Sequence, residues 1–137
     1  MATVIADTGF VVAVVSKSDS RHQTCKQVYF QHTDILLPQT VLAEIAYLVE
    51  READNRAVAH FLQGLGNSRL RMTALTASDI SRTAEILNQY ADSRIDFVDA
   101  SVMAMAERHQ LKTVLTIDRR DFQLFRPKHC ESFTLLP

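Results

Sequence analysis

The chemistry legible in this chain lies in its acidic residues. Asp7 stands directly after a short apolar, β-branched run, Thr3-Val4-Ile5-Ala6, which reads as a buried strand. Asp118 follows a similar run, Lys112 to Ile117. On neighbouring strands the two carboxylates would face each other, and like charges that close raise one another's pKa unless a cation compensates them. A divalent ion is the simplest such cation, and hard oxygen donors suit Mg²⁺ or Mn²⁺. One Asp after a strand is ordinarily a turn or N-cap residue; two on two strands point to a site.

Three further acids fall where they could join them. Glu44 sits on a helix, on the flank of the apolar stripe formed by Val41, Ile45 and Leu48, a place that suits a boundary residue as readily as a site acid. Asp96 and Asp99 are three apart and share one face of a first helical turn, where the macrodipole favours carboxylates. Asp96 can be the N-cap of that helix while Asp99 remains a ligand. Asp121 is read only as a cap for the turn that follows it. Thr116 can hydrogen-bond a carboxylate or a phosphate, and is equally an ordinary strand residue. Arg94, Arg119, Arg120, Arg126 and Lys128 cluster in sequence around Asp99 and Asp118. Basic groups beside a metal site can grip phosphates, although solvated surface charge is the default for each. The five histidines share no ligand spacing, and there is no P-loop, dinucleotide fingerprint or nucleophile elbow.

The elements that must position these acids alternate between strand and helix. Strands are expected at residues 3–6, 35–38, 70–75 and 112–117, with an edge strand within 131–136. Helices are expected at 10–15, from Asp19 or Ser20 to about His32, at 39–52, from Asp54 or Asn55 to Gly64 or Gly66, from a Thr76 capping box to about Ala91, and at 97–110. The order is β-α-α-β-α-α-β-α-α-β-β, which implies a parallel sheet covered on both faces. In such sheets, sites form outside the carboxyl ends of the strands.

With 137 residues the chain is expected to form a single domain, residues 1–137. Its 47% hydrophobic and 23% charged residues are ordinary for a soluble globular protein. No apolar run is long enough to span a bilayer, and the N-terminus lacks the basic start of a signal peptide. Cys25 and Cys130 stand far apart, outside any Cys/His pattern, and read as reduced structural thiols of a cytoplasmic protein. A net charge of −1 neither supports nor excludes a polyanionic substrate, because committing carboxylates to a cation would leave the remainder positive.

Taken in order, four segments resemble the PIN-domain family, and most closely its VapC-type toxins. They are Val4-Ile5-Ala6-Asp7-Thr8-Gly9, Leu42-Ala43-Glu44-Ile45, Asp96-Phe97-Val98-Asp99-Ala100-Ser101, and Thr113 to Phe122. Each alone is weak; together, in this order and over nearly the whole chain, they are specific. The resemblance implies a three-layer α/β/α sandwich around a central, mainly parallel sheet of four to five strands. It implies a metal-dependent endoribonuclease whose pocket is Asp7, Glu44, Asp99 and Asp118, with Asp96 as an additional acid and Mg²⁺ or Mn²⁺ as cofactor. It also implies an RNA substrate cut to leave 5′-phosphate and 3′-hydroxyl ends, a cognate antitoxin, and a homodimer for which the helices near residues 41–62 offer a face. One departure is Gln110, where a helix-ending glycine is common in such sequences.

Two rivals share parts of this pattern. A haloacid-dehalogenase-like phosphatase also begins with a strand ending in Asp but carries a second Asp two residues later, where this chain has Gly9. A non-catalytic module, either RNA-binding or a phospho-acceptor signalling domain, also clusters acids at strand ends. A signalling domain would need a Lys ending a late strand, and Lys112 precedes its strand instead.

Overall fold

Short runs of branched and apolar residues form the strands β1 (Val4–Ala6), β2 (Ile35–Pro38), β3 (Leu70–Thr73), β4 (Thr113–Leu115) and β5 (Thr134–Leu136). In the computed structural model, which describes residues 2–137, these strands make one sheet in the order β3-β2-β1-β4-β5, and every pairing is parallel. Every residue of β1 and β2 is buried, as parallel strands covered on both faces require. The edge strand β3 exposes Arg71 and Met72.

Seven α-helices connect the strands among the described residues: α1 (Thr8–Val15), α2 (His22–Phe30), α3 (Gln39–Glu52), α4 (Asn55–Gly64), α5 (Ala77–Gln89), α6 (Phe97–Arg108) and α7 (Arg119–Leu124). The chain steps outward from β1 to β2 to β3, then returns past β1 to β4 and β5. Right-handed crossovers place α1–α4 on one face and α5–α7 on the other. The packing agrees: α1 rests on α2 and α3, and α3 on α4, while α6 contacts both α5 and α7. The expected α/β/α layering is therefore present, with a sheet that is wholly parallel. The order reverses at β1, and the crevice beyond the carboxyl ends of β1 and β4 is the switch point where such folds place ligands.

Local chemistry explains where the elements start and stop. Asp54 caps α4, its Oδ1 accepting the Ala57 N–H at 2.9 Å. Thr76 and Asp79 form the expected capping box of α5, at 3.2 and 2.9 Å. The start of α2 differs from expectation: Asp19 accepts the Arg21 N–H at 2.8 Å, so it closes a turn and the helix begins only at His22. β3 and β4 are also shorter than their apolar runs, and α7 lies where the sequence pattern predicts no helix, six residues being too few to show a periodicity. At the end of α6, Gln110 has φ 54°, in the left-handed region. The Leu111 N–H reaches the Ala106 carbonyl at 2.8 Å and the Gln110 N–H reaches that of Glu107 at 3.1 Å, which is a Schellman closure.

Candidate functional site

The carboxyl end of β1 delivers Asp7 into the crevice. The Asp7 N–H donates to the Leu115 carbonyl at 2.9 Å, which ties it to the end of β4. Thr116, buried, links the two strand ends: its hydroxyl lies 3.3 Å from Asp7 Oδ2 and accepts the Asp118 N–H at 3.1 Å. The same hydroxyl is 3.2 Å from the Asp118 carbonyl, so its one proton serves either acceptor in turn. Asp118 stands at the N-cap position of α7 but makes no capping bond, which leaves its exposed carboxylate free.

The helices supply the other acids. Glu44, half-buried on α3, accepts a 2.6 Å hydrogen bond from Thr8 Oγ1, at the start of α1. Asp96 is the N-cap of α6: its Oδ1 accepts the Asp99 N–H at 2.9 Å, and Asp99 Oδ2 accepts the Asp96 N–H at 3.2 Å. Asp96 is exposed and Asp99 half-buried, one oxygen of Asp99 remaining uncommitted. A pair of hydroxyls, Thr40 on α3 and Ser101 on α6, meets at 2.7 Å and fixes the helix bearing Glu44 against the helix bearing Asp99.

Electrostatics shows that these acids share one region. Burial pushes the Asp7 carboxyl up to about 6, helped by the charges of Glu44 and Asp118 and opposed by hydrogen bonds from Thr8 and Thr116. Burial also holds Asp99 well above the usual carboxylate range, and the Asp7 charge adds to it. Asp7, Glu44, Asp99 and Asp118 are thus neighbours, and Asp96 acts on Asp99. None of the five forms an ion pair among the described residues, whereas Asp19, Asp34, Asp79, Glu85 and Glu107 all do. Of the acids removed from solvent, Asp79 and Glu107 are each held by an arginine, whereas Asp7 and Asp99 have no such partner among the described residues.

Uncompensated hard-oxygen donors in a partly buried crevice fit a divalent cation in donor type and in charge. Among the described residues, no group of three or more His, Cys, Asp or Glu side chains is arranged so that it could hold a metal ion. The acids gather without closing on one point: Glu44 is turned to Thr8, and Asp99 to the Asp96 backbone.

Two residues of the region have roles that sequence reasoning does not assign. Thr8 orients Glu44, and its only signal is adjacency to Asp7. Asp121, expected as a cap, lies in the first turn of α7 and is buried, its carboxyl raised by burial and then by the charge of Asp118. The basic cluster divides. Arg119 is a structural residue, donating to the backbone carbonyls of Leu135 and Pro137 at 3.2 and 2.6 Å, and Lys128 pairs with Glu85 at 3.7 Å. Gly9 has a packing role: a Cβ there would lie 2.7 Å from Ile117 Cγ1, beside Asp118.

Comparison with known proteins agrees with this architecture. The family model of the PIN domain matches residues 4–126. Ribonuclease VapC26 of Mycobacterium tuberculosis is 30% identical over 135 residues, which cover 98% of this chain and all of that protein. The crystal structure of M. tuberculosis VapC20, described as a sarcin–ricin loop cleaving toxin, superposes with a TM-score of 0.74 at 24% identity, covering 81% of this chain and 86% of that one. A toxin–antitoxin complex from Klebsiella pneumoniae gives a TM-score of 0.66 at 15% identity, over 87% of this chain and 89% of that one. At such identities the structural matches establish the fold.

Proposed function

The chain belongs to the PIN-domain family, and from that premise we propose that it is a metal-dependent endoribonuclease, the toxin of a toxin–antitoxin pair, acting as a single domain. The observation that carries this reading is the gathering of four carboxylates, Asp7, Glu44, Asp99 and Asp118, around the ends of β1 and β4 with no ion pair to any of them among the described residues, whereas the buried Asp79 and the half-buried Glu107 are each held by an arginine. The 30% identity to a ribonuclease over nearly the whole chain supports RNA as the substrate. The likeness to a toxin–antitoxin complex supports a neutralising partner. A homodimer and a cytoplasmic location belong to the same reading.

Asp7, Glu44, Asp99 and Asp118 would hold Mg²⁺ or Mn²⁺, with Asp96 a further acid at the rim. Bound there, such an ion lowers the pKa of a coordinated water and offsets charge building on the phosphoryl oxygens. The protein's own contribution is positioning. Thr116 keeps Asp7 and the Asp118 backbone in register, Thr8 sets Glu44, and the Asp96–Asp99 capping box fixes the first turn of α6. Burial beside like charges makes Asp7 and Asp99 costly to ionise alone, so the pocket favours a cation over an empty, fully charged state.

The test is cleavage of a panel of structured RNAs by the wild type and Asp7→Asn, with Mg²⁺, Mn²⁺ or EDTA. Cleavage should need the ion and fall by at least about 10²-fold in the variant. Full activity of Asp7→Asn, or cleavage undiminished by EDTA, would overturn the assignment.

A further inference from the structure

Beside the acidic crevice lies a second concavity of about 540 Å³, lined in part by Asp92, Arg94, Arg120, Asp121 and Arg126. It adjoins the candidate site, because the charges of Asp118 and Asp96 act on Asp121, as do those of Arg94 and Arg120. Asp121 is only 5% exposed, and among the described residues its carboxylate has neither a hydrogen bond nor an ion pair. Arg94 and Arg120 are exposed and make no ion pair among the described residues, and Arg126 spends Nη1 on the Gln123 carbonyl at 2.8 Å. The cleft therefore offers an unused acceptor pair in its wall and unused guanidinium donors at its mouth.

That combination disfavours a phosphate as the occupant. A phosphate could use the arginines but would meet the Asp121 and Asp92 carboxylates at close range. A nucleobase has both donors and acceptors. Guanine is the standard base with two neighbouring donors, N1–H and the N2 amine, suited to one carboxylate. Its adjacent acceptors, O6 and N7, are those an arginine fork recognises. Adenine and cytosine each put a ring-nitrogen acceptor next to their amine, which a carboxylate repels, and uracil has a single donor.

We propose that this cleft is a base-recognition subsite that selects a guanine next to the cleaved bond, with the Asp121 carboxylate accepting from N1–H and the N2 amine and Arg94, Arg120 or Arg126 donating to O6 and N7. The inference rests on the ribonuclease reading and deepens it by naming the substrate feature that the site reads.

The binding test removes catalysis from the question. Fluorescently labelled tetranucleotides, identical but for one position holding guanine, inosine, adenine, cytosine or uracil, are titrated by anisotropy against the full chain carrying Asp7→Asn, in EDTA. Guanine should bind about tenfold tighter than adenine, and inosine, which lacks the N2 amine, should lose several-fold. Adding Asp121→Asn should level guanine and inosine, and thermal melting of that variant checks that it folds. No guanine preference, no measurable binding of any tetranucleotide, or a preference unchanged by Asp121→Asn would overturn the subsite. Cleavage of structured RNA by the wild type is scored separately. Its absence sinks the ribonuclease reading, whereas cleavage without guanine selectivity sinks this inference alone.

Discussion

At the scale of single residues, the candidate site trades stability for charge. Asp7 titrates near 6 in the folded chain against 3.8 when unperturbed. Because the folded state holds the proton more tightly, stability is fully present below the unperturbed value and is lost as pH rises through about 6. Without divalent ions, the chain should be more stable at pH 4.5 than at pH 7.5, by roughly 2 kcal/mol from this group. Thermal melts in EDTA across that range read the difference, and Asp7→Asn should reduce it, the share due to buried Asp99 remaining, while raising the melting temperature at pH 7.5. Asp96 separates two roles by its substitutions. Asp96→Asn keeps a good cap and should leave stability and cleavage near wild type, whereas Asp96→Ala should cost about 1 kcal/mol in denaturant unfolding. Loss of cleavage in Asp96→Asn would instead make its charge part of the chemistry. The acids themselves were legible in the sequence because strand ends and first helical turns are marked by local pattern. Thr8 and Asp121 were not, since the partner of Thr8 comes from α3 and Asp121 is enclosed by burial beside the distant segment that carries Arg94 and Asp96, which no local spacing reveals.

The elements were largely readable, and the exceptions have local causes. β1 and β2 fall where branched apolar runs predict them, and α4 and α5 start at the residues whose side chains cap them. α7 escaped because six residues carry too little periodicity to register, and Asp19 misled because it closes a turn ahead of α2. The end of α6 was flagged by what it lacks: Gln110 occupies a left-handed position that glycine takes without strain. Gln110→Gly should therefore stabilise the chain by about 1 kcal/mol in denaturant melts, while leaving cleavage unchanged. A destabilised variant would mean that the Gln110 side chain contributes more than its backbone strain costs.

For the whole molecule, the parallel sheet turns four distant sequence segments into one crevice, and its last strand needs support. Arg119 ties β5 to the start of α7 through two backbone carbonyls, next to Asp118. Arg119→Ala should cost about 1 kcal/mol and increase hydrogen exchange along β5. Unchanged protection of β5 would show that sheet pairing alone holds that edge. Gly9 has a wider consequence. Any side chain there must push Ile117 aside, because its first carbon would arrive within 2.7 Å of Cγ1. A phosphatase of the aspartyl-phosphate kind requires a second carboxylate at that same place. The seating of α1 against the β4 exit thus sets a condition on that other chemistry: on this scaffold, acquiring the second acid requires the side chain of Ile117, next to Asp118, to take a different rotamer first.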